Sequence, residues 1–127
     1  MYEITVKKTF SAAHTLDIGG KREELHGHNF NVEVTISAEE LNEDGLVLDF
    51  RVLKKGVSEI LEELDHTFLN NLPAFKNMNP TSENIARFIY NRLEGNTSIM
   101  GLKVSRVAVW ESENSKAVYA KSCSSSK

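Results

Sequence analysis

From His26 to Ser37 the chain reads HGHNFNVEVTIS. His26, His28, Phe30, Val32, Val34 and Ile36 share one parity, while Gly27, Asn29, Asn31, Glu33, Thr35 and Ser37 share the other. A period of two with bulky apolar residues on one side predicts a half-buried strand, and it points both histidines the way the core points. The N-terminal stretch repeats the device: Ile4, Val6, Phe10, Ala12 and His14 alternate with Glu3, Thr5, Lys7, Thr9 and Ser11. A second strand therefore carries a third inward histidine at its end. Between the two strands, DIGGKREE reads as a loop in which Gly19 and Gly20 supply backbone freedom.

Downstream the period changes. After a turn signal at Asn42 to Gly45, Leu53, Val57, Ile60, Leu61 and Leu64 recur at helical spacing, with Lys54, Lys55, Glu59, Glu62 and Glu63 opposite them. Asp49 is positioned to cap this helix. Residues 65 to 80 lose periodicity and read as a connection. Pro80 and Thr81 open a second helix, capped by Thr81 or Ser82, with Glu83 in its first turn and Ile85, Phe88, Ile89 and Leu93 as its apolar stripe. The segments LKVSRVAVWES and KAVYAKS then form a closing hairpin around ESENS. The order ββααββ predicts an α+β fold, an antiparallel four-stranded sheet with both helices on one face.

A chain of 127 residues is one domain's worth, placed at residues 1–121, and the Ser-rich residues 122–127 are expected to be a disordered tail. No apolar run approaches the ~20 residues that span a bilayer. The N-terminus alternates like a strand and lacks an apolar signal segment, so a cytoplasmic protein is expected. The single cysteine, Cys123, excludes an internal disulfide and fits a reducing compartment. A net charge of −3 argues against nucleic-acid binding, because phosphate-driven affinity needs a basic face. Small-molecule chemistry is left open.

Four places carry chemistry. His26 and His28, two apart on a strand, stand about 7 Å apart at the backbone, a spacing from which two imidazoles converge on one ion. His14 is the natural third ligand, and three nitrogens with one open position is the catalytic type of zinc site. The competing reading, hydrogen-bonded core histidines, suits a lone histidine better than three at matching parity. Neutral imidazoles without sulfur suit zinc, although the pattern alone does not choose it over iron. Asp65 and His66 are adjacent where the first helix must end, either as a proton-transfer pair or as a helix-terminal histidine beside a solvated carboxylate. Glu111, where a β-segment meets its turn, reads by itself as a solvated strand-end carboxylate.

The motifs FSAAHTL, LHGHNF, LDF..LK, LDHTFLN, NPTSENIA and VWES stand in one order over nearly the whole chain. In this the sequence resembles the 6-pyruvoyltetrahydropterin synthase and 6-carboxytetrahydropterin synthase family. The resemblance implies the T-fold, trimers that close a β-barrel and pair into hexamers, and active sites between subunits. It implies zinc on His14, His26 and His28, a proton relay of Asp65 and His66, and a pterin anchored by Glu111, whose carboxylate can accept two parallel hydrogen bonds from the ring.

One departure bears on the reaction. Better-known members carry a base cysteine four residues before HGH, where this chain has Arg22. Glu23 follows, giving E-x-x-H-G-H. This resembles the type III branch, in which glutamate is the base and 7,8-dihydroneopterin triphosphate is cleaved to 6-hydroxymethyl-7,8-dihydropterin for folate or a related pterin. Glu24 competes with Glu23, since neighbours on an extended loop point apart. Lys21 and Arg22 are candidates for meeting the triphosphate. The rival readings are a 6-carboxytetrahydropterin synthase of the queuosine pathway, a 6-pyruvoyltetrahydropterin synthase, and a zinc- or pterin-binding module without catalysis.

Overall fold

The protein is described here by a computed structural model that covers residues 1–96, 99 and 101–122. Residues 123–127 of the expected tail lie outside the described residues. The two long alternating segments are strands β1 (Tyr2–His14) and β4 (His26–Ala38). They pair antiparallel in a register that sets His14 opposite His26, Ala12 opposite His28 and Phe10 opposite Phe30. Parity survives the pairing because opposed residues in a sheet share a face. All three histidines therefore leave the sheet on the side of Val6, Val32 and Val34, which are buried.

The loop between these strands is more structured than its composition indicates. It folds into a ribbon of β2 (Asp17–Ile18) and β3 (Lys21–Arg22). Its two-residue turn needs positive φ at both positions, and Gly19 and Gly20 adopt φ of 61° and 80°.

Helix α1 (Phe50–Glu62) begins where Asp49 accepts a hydrogen bond from the Arg51 N–H, and helix α2 (Ser82–Glu94) where Thr81 accepts one from the Asn84 N–H. Thr81, rather than Ser82, is the cap. Leu53 and Val57 of α1 and Ile85, Ile89 and Leu93 of α2 are fully buried in one cluster with Phe30, Val34 and Ile36. Both helices thus cover the same face of the sheet.

The expected count of four strands is one short. The main sheet has five, because β5 (Thr67–Phe68) adds to the edge of β1 in parallel, at Ala12 and Ala13. Two residues are too few to show a period, and this pairing follows instead from how the chain leaves α1. The sheet is completed by β6 (Lys103–Ser112) and β7 (Ser115–Tyr119), in the order β5-β1-β4-β6-β7.

Strand β6 carries two irregularities, one before and one at the end of the alternation that leads to Glu111. A register shift opposite Thr35 and Ile36 moves the inward set of β6 from Val104 to Val107 and Val109. Two residues on, Glu111 falls on the inward face, at a second irregularity between Trp110 and Ser112.

Candidate metal centre

His14 ends β1 and is fully buried. Its Nδ1 lies 2.8 Å from the carbonyl oxygen of Pro80, in the turn before α2. A carbonyl only accepts, so Nδ1 carries the proton and donates, and Nε2 presents a lone pair. His26 repeats this arrangement, with Nδ1 at 2.9 Å from the Glu24 carbonyl oxygen. The two Nε2 atoms face each other at 3.2 Å. With both Nδ1 atoms donating, two lone pairs meet there, which is unfavourable unless a cation sits between them.

His28 completes the group. Its Nε2 is buried with no hydrogen-bond partner, although Glu111 Oε1 is only 3.1 Å away. The contact lacks hydrogen-bonding direction, as expected of two metal-ligating atoms aimed at a common point. Burial lowers the pKa of His28, the Glu111 carboxylate opposes the shift, and His26 and His14 add to it. Loss of the proton leaves the ring free to ligate.

One donor atom from each of His14, His26, His28 and Glu111 lies within 4.8 Å of the others. In a tetrahedral zinc site with bonds of 2.0–2.1 Å, neighbouring donors stand about 3.3 Å apart. The 3.1 and 3.2 Å separations match that edge. Carbonyl-oriented imidazoles are also the usual support of bound zinc. The residues present fit a divalent ion.

Phe10 and Phe30, stacked with centroids 5.0 Å apart, lie beneath the cluster, and the Phe30 ring meets His14 and His28 edge-on at 5.6 and 5.4 Å. An apolar floor keeps water from competing for the ligand atoms.

Asp65 and His66 do not join this cluster. Asp65 Oδ1 accepts the Ser11 N–H at 2.8 Å, and Asp65 Oδ2 is 3.0 Å from His66 Nδ1. The Ser11 bond is the main cause that holds the Asp65 carboxyl below its ordinary pKa. His66 has φ 58°, the left-handed region that a residue with a Cβ adopts at a cost, and its N–H donates to the Ser11 carbonyl. This turn ends the first helical segment and starts β5. The ring of His66 is 82% exposed. With Ser11, Ala13 and Asn29, which alternate away from the ligand face, it lines a depression of about 480 Å³ that His28 also borders.

Glu23 and Glu24 are exposed at the end of the ribbon. The Glu23 N–H donates to the Leu16 carbonyl at 2.7 Å, which fixes the main chain entering the HGH segment. Arg22, at the position of the expected cysteine, forms a bidentate pair with Asp17 at 3.1 and 3.0 Å and donates to Thr15 Oγ1. Its charge is thus already matched, whereas Lys21 is exposed.

Sequence reasoning missed the carbonyls of Pro80 and Glu24, since a main-chain acceptor leaves no residue signature. It also missed Asn70 and Asn79. Their side-chain amides exchange paired hydrogen bonds with the main chain of Thr15 and Asp17, all at 2.8 or 2.9 Å, and so tie the segment after His14 to the connection between the helices.

The profile of the family described as "6-pyruvoyl tetrahydropterin synthase" matches residues 3–122. A protein of Archaeoglobus fulgidus with a provisional 6-carboxy-5,6,7,8-tetrahydropterin synthase name is 42% identical over 87% of this chain and 89% of its own. The dihydroneopterin monophosphate aldolase of Pyrococcus furiosus is 41% identical over 85% of this chain and 88% of its own. The solved structure of Caenorhabditis elegans 6-pyruvoyl tetrahydropterin synthase superposes with a TM-score of 0.77 at 27% identity, covering 96% of this chain and 98% of that one. The chain belongs to the 6-pyruvoyl tetrahydropterin synthase family of pterin side-chain lyases.

Proposed function

We propose that the protein is a zinc-dependent lyase that converts 7,8-dihydroneopterin triphosphate to 6-hydroxymethyl-7,8-dihydropterin by retro-aldol cleavage, with Glu23 as the base. The observation that carries this reading is the setting of the imidazole cluster: the segment entering it through His26 offers Glu23 and Glu24 and no cysteine, the sequence's one cysteine being Cys123. The aldolase name of the Pyrococcus furiosus relative supports the same bond cleavage. That relative is named for a monophosphate, so both phosphate forms belong in the test.

His14, His26 and His28 would hold the zinc, whose Lewis acidity lowers the pKa of a nearby substrate hydroxyl. Glu23 takes the proton of the C2′ hydroxyl. The C1′–C2′ bond breaks, C2′ becomes the aldehyde carbon of a phosphorylated glycolaldehyde, and the electron pair left on C1′ spreads into the conjugated dihydropterin ring. His66, oriented by Asp65, returns a proton to C1′ and completes the hydroxymethyl group. Glu111 accepts two hydrogen bonds from the pterin edge. Because Asp65 and His66 are not among the clustered donors of their own chain, the relay is assigned to a neighbouring chain in a homo-oligomer, a trimer or hexamer built on a shared barrel.

The second reading is a 6-carboxytetrahydropterin synthase, favoured by the names of the Archaeoglobus fulgidus relative and of an Aquifex aeolicus relative 32% identical over 75% of this chain. Product identification separates the two. Zinc-loaded protein is incubated with the triphosphate and, in parallel, the monophosphate of 7,8-dihydroneopterin, and the pterin is identified by mass. The hydroxymethyl compound with phosphorylated glycolaldehyde is expected. A 6-carboxy or 6-pyruvoyl product overturns the aldolase reading, and binding without turnover supports a non-catalytic module.

A further inference from the structure

Pterin anchoring does not account for where Glu111 stands. A carboxylate that only held the ring would have no need to touch the atoms that hold the ion, yet Glu111 Oε1 is 3.1 Å from His28 Nε2. It belongs with His14, His26 and His28 to a single set of donors within 4.8 Å. Its other oxygen, Oε2, accepts a hydrogen bond from Ser82 Oγ at 3.4 Å, and Ser82 is buried at the first position of α2. Glu111 follows Val107 and Val109 on the inward parity of β6 and sits at the irregularity between Trp110 and Ser112 in the pairing with β7. Such irregularities commonly re-aim a side chain at a site.

We propose that Glu111 is the fourth protein ligand of the resting metal centre and that it leaves the ion for the pterin ring when substrate arrives. The inference rests on the metal reading of the three histidines. It has a chemical consequence. An anionic carboxylate among the ligands partly neutralises a divalent ion and weakens its pull on any further oxygen. When Glu111 turns to the ring, three neutral imidazoles remain, and the site polarises a substrate hydroxyl more strongly. No covalent bond changes in this exchange. The carboxylate gives up the ion and gains the two ring N–H donors, and Ser82 steadies it in the resting position. The centre is then closed in the absence of substrate and opens only when a pterin is present to receive Glu111.

The test uses metal binding rather than turnover. Full-length protein is stripped with a chelator and titrated with Co²⁺ and Zn²⁺ in competition with a chromophoric chelator, as wild type, Glu111→Gln and His14→Ala. Neopterin is then added to the cobalt-loaded proteins. Wild type is expected to show the intense visible bands of four-coordinate cobalt, and neopterin to change them. Glu111→Gln should bind about tenfold more weakly or worse, show altered bands before neopterin is added, and respond little to it. Melting of the metal-free proteins, expected to be alike, checks that the substitution spares the fold. If Glu111→Gln keeps wild-type affinity and bands while His14→Ala has lost the metal, the role of Glu111 is overturned and the triad stands. If His14→Ala binds cobalt as tightly as wild type, the triad reading itself fails.

Discussion

The imidazoles of His14 and His26 are held by carbonyls of Pro80 and Glu24, so each ring's tautomer is a property of the fold around it. This bears on the choice of base. Both candidates are tied down through the main chain, Glu24 by its carbonyl to His26 and Glu23 by its N–H to the Leu16 carbonyl, so only their side chains distinguish them. With Glu23 as the proposed base, Glu23→Ala is expected to bind zinc as wild type does and lose about 10²–10⁴-fold in turnover, as removal of a general base does. Glu24→Ala should stay within a few-fold of wild type. Initial rates with the metal content of each protein measured alongside decide the matter, and the reverse pattern would move the base to Glu24. His66 offers a second residue-scale separation, because its φ of 58° is one that glycine adopts freely. His66→Gly should melt close to wild type while losing turnover; an equal loss in both would make His66 a structural residue. At this scale the sequence made much of the site legible. Parity alone put His14, His26 and His28 on one face, since a strand's side chains alternate whatever its neighbours do. Glu111 was readable as a carboxylate at a strand end on the parity of Val107 and Val109, but its place beside His28 depends on how β6 pairs with β4, which a single strand's pattern does not announce.

The elements that carry the ligands depend on their ends. Pro80, whose carbonyl fixes His14, immediately precedes the cap Thr81, so the start of α2 and the candidate metal centre share a turn. Thr81→Ala should cost about 1 kcal/mol by urea denaturation and also weaken zinc binding. Loss of stability with unchanged affinity would uncouple the two. The cap of α1 gives a pH-dependent case. Hydrogen bonds from the Arg51 side chain, then from its N–H, pull the carboxyl of Asp49 from 3.8 to about 2. A depressed carboxyl stabilises the fold above its unfolded value and loses that contribution as protons bind. The Asp49 contribution is thus complete above pH 3.8 and fades as pH falls toward about 2. An Asp49→Asn protein should lose less stability than wild type across that window in acid titrations followed by circular dichroism. Both helices were legible from spacing and caps, being long enough to repeat. The connection from Asp65 to Pro80 was not. It holds β5 and two 3-10 turns, Leu69–Asn71 and Pro73–Phe75, each shorter than the period by which it would be recognised.

At the scale of the whole molecule, the His14, His26 and His28 cluster and the proposed relay of Asp65 and His66 border a common depression only through His28. His14, His26 and His28 leave β1 and β4 toward the helices, while His66 groups with Ser11, Ala13 and Asn29, which alternate the other way. A ring 82% exposed, in a pair whose carboxylate is fixed by the Ser11 N–H, is arranged to present itself outward. Fold-level pattern reading cannot show this, because it assigns residues to faces and not to copies of the chain. If each active site takes its metal ligands from one chain and its relay from the next, two defective chains can repair one another. His14→Ala lacks the metal site but keeps an intact relay, and His66→Ala has the reverse. Each alone should be inactive. Co-expressed in equal amounts and assembling at random, they form a working site wherever a His66→Ala chain supplies the ligands and a His14→Ala chain the relay, which is about a quarter of the interfaces in a cyclic homo-oligomer. Roughly that share of wild-type turnover is expected from the mixture, and none if each site is built within a single chain. Size-exclusion chromatography of the mixture checks that the chains assemble. A mixed oligomer without activity would return the relay to its own chain and require the segment around His66 to move toward the histidines.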